Sequence, residues 1–226
     1  MKIFKSIINI ILILIIFVCG YKVFYKVTEY KKADEVYEKI RIEKEETNNP
    51  YIENTDYRGW IKIENTNINY PILQGEDNLY YLDKDINKEY IISGSIFMNY
   101  LNNGFDDQNT VLFGHNMKNE TMFAHLKKYK EKDFFYNNND IDIELNNGEH
   151  LKYKVFSVYI TDVTDNYIQT NFENKNEYKD FLERIQSKSM YEADIEVNED
   201  DKIITLSTCS FEFNDARMVV HAKLIK

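Results

Sequence analysis

Hydrophobic and polar positions divide the chain into three parts, and the first of these is a continuous apolar stretch. Residues Ile7 to Phe24 are apolar apart from Asn9 and Lys22. About 18 to 20 such residues are enough to cross a bilayer as a helix. This stretch therefore predicts a transmembrane helix.

The second part, from residue 27 to about residue 47, is charged and carries apolar residues at helical spacing. These apolar positions are Val27, Tyr30, Ala33, Val36 or Tyr37, and Ile40. The spacing predicts an amphipathic helix, and the residues ETNNP at 46–50 predict the turn that ends it. Such a helix forms either a solvated stalk or a segment folded back onto the rest of the protein.

The third part begins near Tyr57 and shows the alternation of apolar and polar residues that is typical of strands. Turns rich in asparagine and glycine predict tight connections between paired strands. The predicted strands lie on either side of 65–67, on either side of 146–148, and at 94–99, 109–116, 202–209 and 217–225. Many short strands at close spacing are typical of a barrel or a sandwich.

Two short helices are predicted among these strands. One covers 119–130 with Asn119 as its N-cap, and the other covers 174–188 with Asn174 as its N-cap and Glu177 three residues later. An asparagine cap satisfies free N–H groups of the first turn, and an acidic residue three positions on supports it. The expected fold is therefore mainly β with added helices.

Composition and charge exclude some functions. The chain has 38 acidic and 28 basic residues, a formal charge of −10. Nucleic-acid binding needs a basic surface to neutralise phosphates, so no nucleic-acid partner is expected. The acidic residues form no cluster at the spacing of metal ligands, and neither a metal nor another cofactor is predicted.

The residues around the apolar stretch indicate the compartment. Lys2 and Lys5 precede it and favour a cytoplasmic N-terminus, although Lys22 and Lys26 weaken this bias. A cleaved signal peptide is the alternative, but no small-x-small cleavage site follows the apolar core. We therefore expect an uncleaved signal anchor, with most of the chain outside the cell.

This topology separates the two cysteines of the chain. Cys19 lies in the apolar stretch and Cys209 at the end of a predicted strand, so Cys209 has no partner for an internal disulfide. An unpaired cysteine in an exported protein indicates intermolecular pairing or a functional thiol, unless it is buried as a small hydrophobic residue. A nucleophilic cysteine needs a nearby base or cation, because at an ordinary pKa near 8.5 only about 3% is thiolate at pH 7.

Among the four histidines of the chain, His115 is the candidate base. It stands where the apolar strand VLFG ends, and strand ends present side chains to functional sites. We expect the other three in structural or surface positions. His125 is expected on the surface of a helix beside two lysines and His150 in solvent after a hairpin turn. His221 is expected in the middle of a strand, either packed or at an edge.

The motif TLSTC at 205–209 is followed eight residues later by Arg217, and FGHN at 113–116 precedes it. With the signal anchor in front, this arrangement resembles the sortases, the membrane-anchored cysteine transpeptidases of Gram-positive bacteria. The segments GWIKIENTNINYPILQGEDNLYYL, GSIFMNY and TLSTCSFEF, and the helix at 174–188, are most similar to class B. The resemblance covers about residues 57–226 and the anchor.

The resemblance implies a closed, mostly antiparallel eight-stranded β-barrel with added helices. It divides the chain into a signal anchor at 1–25, a juxtamembrane helical segment at 26–55 and a catalytic domain at 56–226. It also implies substrates and partners. These are exported proteins with a sorting motif of the LPxTG or NPxTN kind, cleaved after Thr, and an amine of the peptidoglycan precursor that accepts the acyl group.

The resemblance also implies roles for residues, each consistent with its chemistry. Cys209 would be the nucleophile, His115 the acid and base, and Arg217 the cation that stabilises the oxyanion or holds the substrate. Weaker candidates for substrate binding are Ser207 and two residues in the stretch where the family's substrate-binding loop lies, Tyr167 and Ile168. Ser207 shares a strand face with Cys209, whereas core packing is the alternative for the other two.

Two other functions are compatible with an anchored chain that carries one external thiol. A cell-wall Cys/His hydrolase would pass the acyl group to water, but such peptidases usually place the cysteine before the histidine, and here His115 precedes Cys209. A non-enzymatic binding module would keep Cys209 buried, and the thiol would resist alkylation until the protein unfolds.

Overall fold

The computed structural model describes residues 2–47 and 54–225. Its first element is one continuous helix, α1 (Lys2–Thr47), which includes both the apolar and the amphipathic stretch. By length and composition the helix can cross a membrane: an 18-residue window within Phe4–Glu46 has a mean hydropathy of 2.6. The turn predicted at 46–50 begins with residues that are still helical, and its last three residues lie outside the described ranges.

The C-terminal part of α1 packs onto the rest of the protein and is not a free stalk. Ala33, Tyr37 and Ile40 lie in the main hydrophobic core. The rings of Tyr37 and Tyr70 meet edge-on, with centroids 5.3 Å apart, a favourable geometry for aromatic pairs. Val27, six residues before Ala33 and closer to the apolar stretch, remains exposed. The helix therefore folds back onto the domain only through its last four turns.

The part of the chain that the structure describes contains eight strands. They are β1 (Tyr57–Lys62), β2 (Asn69–Leu73), β3 (Ile96–Met98), β4 (Asn109–Phe113), β5 (Asp140–Leu145), β6 (His150–Asp162), β7 (Ile203–Cys209) and β8 (Ala216–Leu224). They close into a barrel in the order β1-β2-β3-β4-β7-β8-β6-β5. The fold implied by the resemblance is confirmed. The pairs β2–β3 and β4–β7 are parallel, and the other neighbours are antiparallel.

Both tight turns predicted between paired strands are present. Asn65, between β1 and β2, has φ = 60°, and Gly148, between β5 and β6, has φ = +85°. Asparagine and glycine tolerate this left-handed region better than other residues. The asparagine and glycine residues in the sequence therefore predicted these two turns correctly.

The helix predicted over 119–130 is wrong in its first half. Only Ala124–Lys130 is helical, as a 3-10 helix that begins after Phe123. Glu120 and Met122 have φ of 68° and 56°, and residues in the left-handed region cannot continue a right-handed helix. Two further short elements were not predicted, because they are too short to show a period: α2 (Lys132–Asn137) and a 3-10 turn at Tyr80–Leu82.

The second predicted helix is confirmed as α3 (Lys175–Ser187). The side chain of Asn174 accepts hydrogen bonds from the backbone N–H groups of Asn176 and Glu177, as the capping pattern predicted. The apolar side of α3 forms a second hydrophobic cluster with β6, β7 and β8, which includes Tyr178, Phe181, Leu182 and Ile185. This cluster supports the outer face of the strand that carries Cys209.

Candidate active site

The parallel pairing of β4 with β7 places His115 and Cys209 at the same edge of the barrel. Phe113, the last residue of β4, is opposite Ser207 on β7. His115 lies two residues beyond Phe113, and Cys209 lies two residues beyond Ser207. Because parallel strands run in the same direction, equal steps along both strands keep the two side chains in neighbouring positions.

Arg217 reaches the same edge from the other side of β7. In the antiparallel β7–β8 pair it lies directly opposite Cys209. A cavity of about 270 Å³ opens here, and its lining includes His115, Cys209 and Arg217. Cys209 is exposed, whereas the other two side chains are half-buried. The structure therefore brings together the three residues for which the resemblance implies catalytic roles.

The remaining walls of the cavity are mainly apolar. Leu82, Phe97 and Phe113 form them, together with the polar side chain of Asn78. Charges interact more strongly beside apolar walls than in open water. A thiolate, an imidazolium and a guanidinium would therefore influence one another and a bound acyl group strongly at this place.

The imidazole of His115 is oriented by a backbone carbonyl. Its Nε2 lies 2.7 Å from the carbonyl oxygen of Leu82. A carbonyl oxygen only accepts hydrogen bonds, so Nε2 carries a proton and donates it. In the neutral ring Nδ1 then holds the lone pair, since the bond at one ring nitrogen sets the state of the other. Nδ1 is therefore the nitrogen that is available for proton exchange.

Two hydrogen bonds fasten the loop that carries His115 to the end of β7. Asn116 donates from Nδ2 to the carbonyl oxygen of Cys209, at 2.8 Å. Thr208 donates from its hydroxyl to the carbonyl oxygen of Gly114, at 2.7 Å. These bonds join residues directly next to the histidine and the cysteine. They fix the distance between the two backbone segments beyond the last ladder bond of the β4–β7 pair.

The guanidinium of Arg217 is turned toward backbone carbonyls of its own strand. Nη1 donates to Ala216 O at 3.1 Å and more weakly to Asp215 O at 3.4 Å. A guanidinium has five N–H donors in a planar fork. Donors beyond these two bonds are therefore left for an anionic oxygen in the cavity.

The three weaker candidates occupy different places. Ser207 lines the cavity and bonds through its hydroxyl to the Tyr167 hydroxyl at 2.9 Å. Tyr167 is buried behind it, and burial raises the pKa of its phenol while the Ser207 bond and the Arg217 charge oppose this shift. Ile168 is 37% exposed. Tyr167 therefore supports the cavity wall from behind, and Ile168 presents an apolar side chain at the surface beside it.

The predictions for the remaining histidines are confirmed in two cases. His150 is exposed and His221 is fully buried. The expectation of surface exposure for His125 is wrong, because this side chain is buried. Its Nδ1 accepts the backbone N–H of Asn67, and its Nε2 donates to Glu120, each at 2.9 Å. Burial lowers its pKa, and the Glu120 carboxylate opposes that shift.

Sequence reasoning did not find every residue of this site. Asn116 appears there only as the last residue of FGHN, without a role, and Leu82, whose backbone carbonyl orients His115, was missed. Any residue can accept a hydrogen bond through its backbone carbonyl, so the residue type of Leu82 gives no signal of this role. An asparagine directly after a candidate histidine is a weak signal. Within 2–47 and 54–225, no group of three or more His, Cys, Asp or Glu residues is arranged to hold a metal ion.

Comparison with known proteins identifies related chains. The family model described as a sortase domain matches residues 61–225. Sortase B of Staphylococcus aureus is 36% identical over an alignment of 241 positions, which covers 100% of this chain and 98% of that relative.

Solved structures agree with the sequence comparison. The crystal structure of sortase B from B. anthracis in complex with AAEK1 superposes with a TM-score of 0.80 at 37% identity, covering 88% of this chain and 99% of that one. A Staphylococcus aureus sortase B–substrate complex superposes with a TM-score of 0.79 at 36% identity, with the same coverage of 88% and 99%. The similarity therefore extends over the barrel and part of the preceding helix.

Proposed function

The chain belongs to the sortase family, whose members are transpeptidases, and we propose that it cleaves sorting signals of exported proteins and joins those proteins to the cell wall. The sorting signal is of the LPxTG or NPxTN kind and is cleaved after Thr. The observation that supports this proposal is the register of β4, β7 and β8. This register brings His115, Cys209 and Arg217 to the lining of one cavity.

Acylation begins with the thiolate of Cys209. It attacks the carbonyl carbon of the motif Thr, and the tetrahedral intermediate collapses as the C–N bond breaks. His115, as imidazolium, gives a proton from Nδ1 to the departing amine, while its Nε2–H remains bonded to Leu82. The products are a thioacyl-enzyme on Cys209, a free amine on the C-terminal fragment and a neutral His115.

Transfer reverses these steps with a different amine. An amine of the peptidoglycan precursor attacks the thioester carbon, and Nδ1 of His115 accepts the proton that it loses. The C–S bond then breaks, and Cys209 is released as a thiolate. One new amide bond replaces the one that was cleaved, so the sequence of steps needs no external energy source.

Arg217 stabilises the oxyanion of both tetrahedral intermediates in this proposal. It stays cationic at any physiological pH, and preorganised donors that face a developing negative charge commonly contribute the largest share of catalysis. Its place opposite Cys209 in the β-ladder supports this role, as do the guanidinium donors not used by Ala216 and Asp215.

The sorting motif lies against the walls formed by β7 and the segment that precedes α3. We assign Ser207 and Tyr167 to the support of this wall through their shared hydrogen bond, and Ile168 to apolar contact with the peptide. The partial exposure of Ile168 supports this assignment, because a groove residue must be accessible to an extended peptide.

The location of the enzyme follows from α1. One helix is long and apolar enough to cross a membrane, and we propose that it holds the protein as a single-pass anchor. Residues 1–25 then form the signal anchor, residues 26–55 the juxtamembrane segment and residues 56–226 the catalytic domain outside the cell. In this place the enzyme meets both its partners, the exported protein and the peptidoglycan precursor.

The proposal is tested with the full chain in detergent micelles, a panel of LPxTG and NPxTN peptides, and an amine acceptor. Mass spectrometry should find cleavage after Thr, transfer to the amine, and a transient acyl adduct on Cys209. Cys209→Ala should abolish all three. Cys19→Ala is the matched control, because it removes the other cysteine, and it should retain full activity.

Two outcomes would contradict the proposal. Hydrolysis without transfer, at any concentration of the amine, would identify a peptidase instead of a transpeptidase. No reaction, together with a Cys209 thiol that resists iodoacetamide in the folded protein, would exclude a role of this thiol in catalysis.

A further inference from the structure

The carbonyl that orients His115 is held in an unusually restricted place. Leu82 ends the 3-10 turn at Tyr80–Leu82, and its carbonyl oxygen accepts the proton of His115 Nε2. The carbonyls on both sides of it are bonded to the segment 91–95: Ile91 N donates to Asp83 O at 2.9 Å, and Ser95 N donates to Tyr81 O at 3.0 Å. The Leu82 peptide is therefore fixed on both flanks.

Gly94 closes the remaining side of this peptide. A Cβ atom at position 94 would lie 2.4 Å from Leu82 O and 2.7 Å from the Leu82 carbonyl carbon. Real Cβ contacts are never this short, and the obstacle is backbone, which cannot rotate away. Gly94 also has φ = +54°, a region that disfavours side chains. Any larger residue would push the Leu82 carbonyl out of its place.

A hydroxyl from α1 supports Gly94 in turn. The Tyr37 hydroxyl donates to Gly94 O at 2.7 Å and is 2.9 Å from the Ser95 hydroxyl. Tyr37 is almost completely buried, so water cannot replace it as the donor. The other donor to this carbonyl, the Ser93 hydroxyl, is farther away at 3.3 Å, and a buried carbonyl that loses its shorter hydrogen bond is destabilised. The bond therefore restrains the 94–95 backbone and, through it, the contact with Leu82.

We propose that Gly94, supported by the Tyr37 hydroxyl, is a positioning residue for His115. It holds the Leu82 carbonyl where that carbonyl accepts the Nε2 proton, and thereby reserves Nδ1 for proton exchange. The inference rests on the proposed function of His115. It adds that the helix leading out of the membrane takes part in orienting the imidazole.

The test compares Gly94→Ala with Gly148→Ala. Gly148 has φ = +85°, and a Cβ there meets nothing within 4 Å. The control therefore carries the same kind of backbone strain without the contact to a carbonyl. Tyr37→Phe is compared with Tyr129→Phe, since the Tyr129 ring is equally buried and its hydroxyl also donates to a backbone carbonyl, Asn138 O at 3.1 Å.

The first readout needs no substrate. The ¹⁵N shifts of His115 in the full chain in micelles report which ring nitrogen holds the proton, and His115→Gln identifies its signals among those of the four histidines. Wild type, Gly148→Ala and Tyr129→Phe should show the Nε2–H form. Gly94→Ala should lose it in favour of a mixture of forms, and Tyr37→Phe should move part of the way.

The second readout is transpeptidation. Gly94→Ala should lower kcat roughly 10- to 100-fold, the range that is typical for losing a partner that orients a metal-bound histidine. KM for the peptide should change less than about threefold, because peptide contacts are not involved. Both controls should keep the wild-type kcat.

The outcomes separate the inference from the function on which it rests. If wild type has no transpeptidase activity, the proposed function fails whatever the ¹⁵N spectra show. An active wild type with an unchanged His115 tautomer in folded Gly94→Ala would overturn the inference. If Gly94→Ala does not fold, Tyr37→Phe decides: a His115 signal identical to that of Tyr129→Phe overturns it, and a shifted signal supports it.

Discussion

At the scale of single residues, the side-chain amide of Asn116 makes one hydrogen bond next to the candidate active site. It donates to the carbonyl of Cys209 at the point where β7 ends. The bond restrains the backbone of Cys209, the proposed nucleophile. Its donor, Asn116, lies one residue after His115, the proposed base. A side-chain hydrogen bond of this kind contributes about 0.5–1.5 kcal/mol. Because this bond restrains the backbone of Cys209, we expect its loss to lower the rate of acylation more than the free energy of unfolding.

We therefore predict that Asn116→Ala lowers kcat for transpeptidation roughly three- to tenfold, as one hydrogen bond of that strength allows. Asn137→Ala is the matched control, because Asn137 Nδ2 also donates to a backbone carbonyl at 2.8 Å, that of Asp133 in α2. Steady-state kinetics on both variants decide the question. Equal kcat values for the two variants would show that the amide does not restrain the nucleophile.

At the scale of elements, buried hydrogen bonds join four strands to the segment before α3. Tyr159 of β6 bonds to Nε2 of His221 on β8, at 2.9 Å, and Nδ1 of His221 bonds to the Thr205 hydroxyl of β7, at 2.8 Å. Thr205 donates to Asn109 of β4 at 2.7 Å. Asn109 in turn donates to Gln169 O at 2.8 Å. The bonds connect the barrel interior to the segment that carries Tyr167 and Ile168.

The direction of these bonds places a proton on Nδ1 of His221. Since Thr205 donates its proton to Asn109, its oxygen accepts from Nδ1, and in the neutral ring Nε2 accepts from Tyr159. Burial first, and then the charges of Arg184 and Lys188, lower the pKa of His221 from 6.5 to about 3. The folded state therefore stays unprotonated at this position over a pH range in which the unfolded chain binds a proton.

This difference predicts a loss of stability in acid. Between pH 6.5 and about 3 the unfolded state holds one proton more at His221, so the free energy of unfolding falls as the pH falls, by at most about 1.4 kcal/mol per pH unit from this group. His221→Gln does not titrate, and the difference in unfolding free energy between wild type and this variant should shrink on acidification from pH 6.5 to 4.5.

Urea unfolding measures this difference, with fluorescence of the single tryptophan of the chain as the probe. That residue, Trp60, is buried in the barrel wall. His150→Gln, at an exposed position, is the control and should show the same acid dependence as wild type. A difference between wild type and His221→Gln that does not vary with pH would contradict the prediction.

The sequence predicted elements wherever a local pattern decided the structure. The Asn174 cap, the Asn65 and Gly148 turns and the strands of the barrel are of this kind. The helix predicted at 119–130 fails because residues 120 and 122 adopt left-handed backbone, which the spacing of apolar residues does not reveal. His125 was misplaced because one of its hydrogen-bond partners, the Asn67 backbone N–H, lies far away in the sequence, on the β1–β2 turn.

The sequence pointed to the side chains of the candidate site but not to the backbone groups that orient them. The resemblance pointed to His115, Cys209 and Arg217, and the register of three strands explains why they meet. The Leu82 carbonyl, the restriction at Gly94 and the Tyr37 hydroxyl come from separate parts of the chain. Their relation depends on how a loop and a helix pack, which no periodicity in the sequence encodes.

At the scale of the whole molecule, the apolar stretch and the segment that packs onto the barrel belong to one continuous helix, α1. Ala33, the first residue of α1 in the core, lies nine positions after Phe24, the end of the apolar stretch. At 1.5 Å per helical residue this is about 14 Å. With α1 as the proposed anchor, the barrel would stand close to the membrane surface, where the sorting signals of exported chains would meet the cavity.

Chemical labelling of the two cysteines can test on which side of the membrane the barrel lies. We predict that a membrane-impermeant maleimide, added to intact cells that make the full chain, labels Cys209, because it is exposed and the lysines before the apolar stretch favour a cytoplasmic N-terminus. Cys19 lies within the apolar stretch and should stay unlabelled. Cys209→Ala should therefore remove all labelling, and Cys19→Ala should leave it intact. Labelling of Cys209 only after the cells are permeabilised would place the catalytic domain inside, where neither the sorting signals nor the wall precursor could reach it.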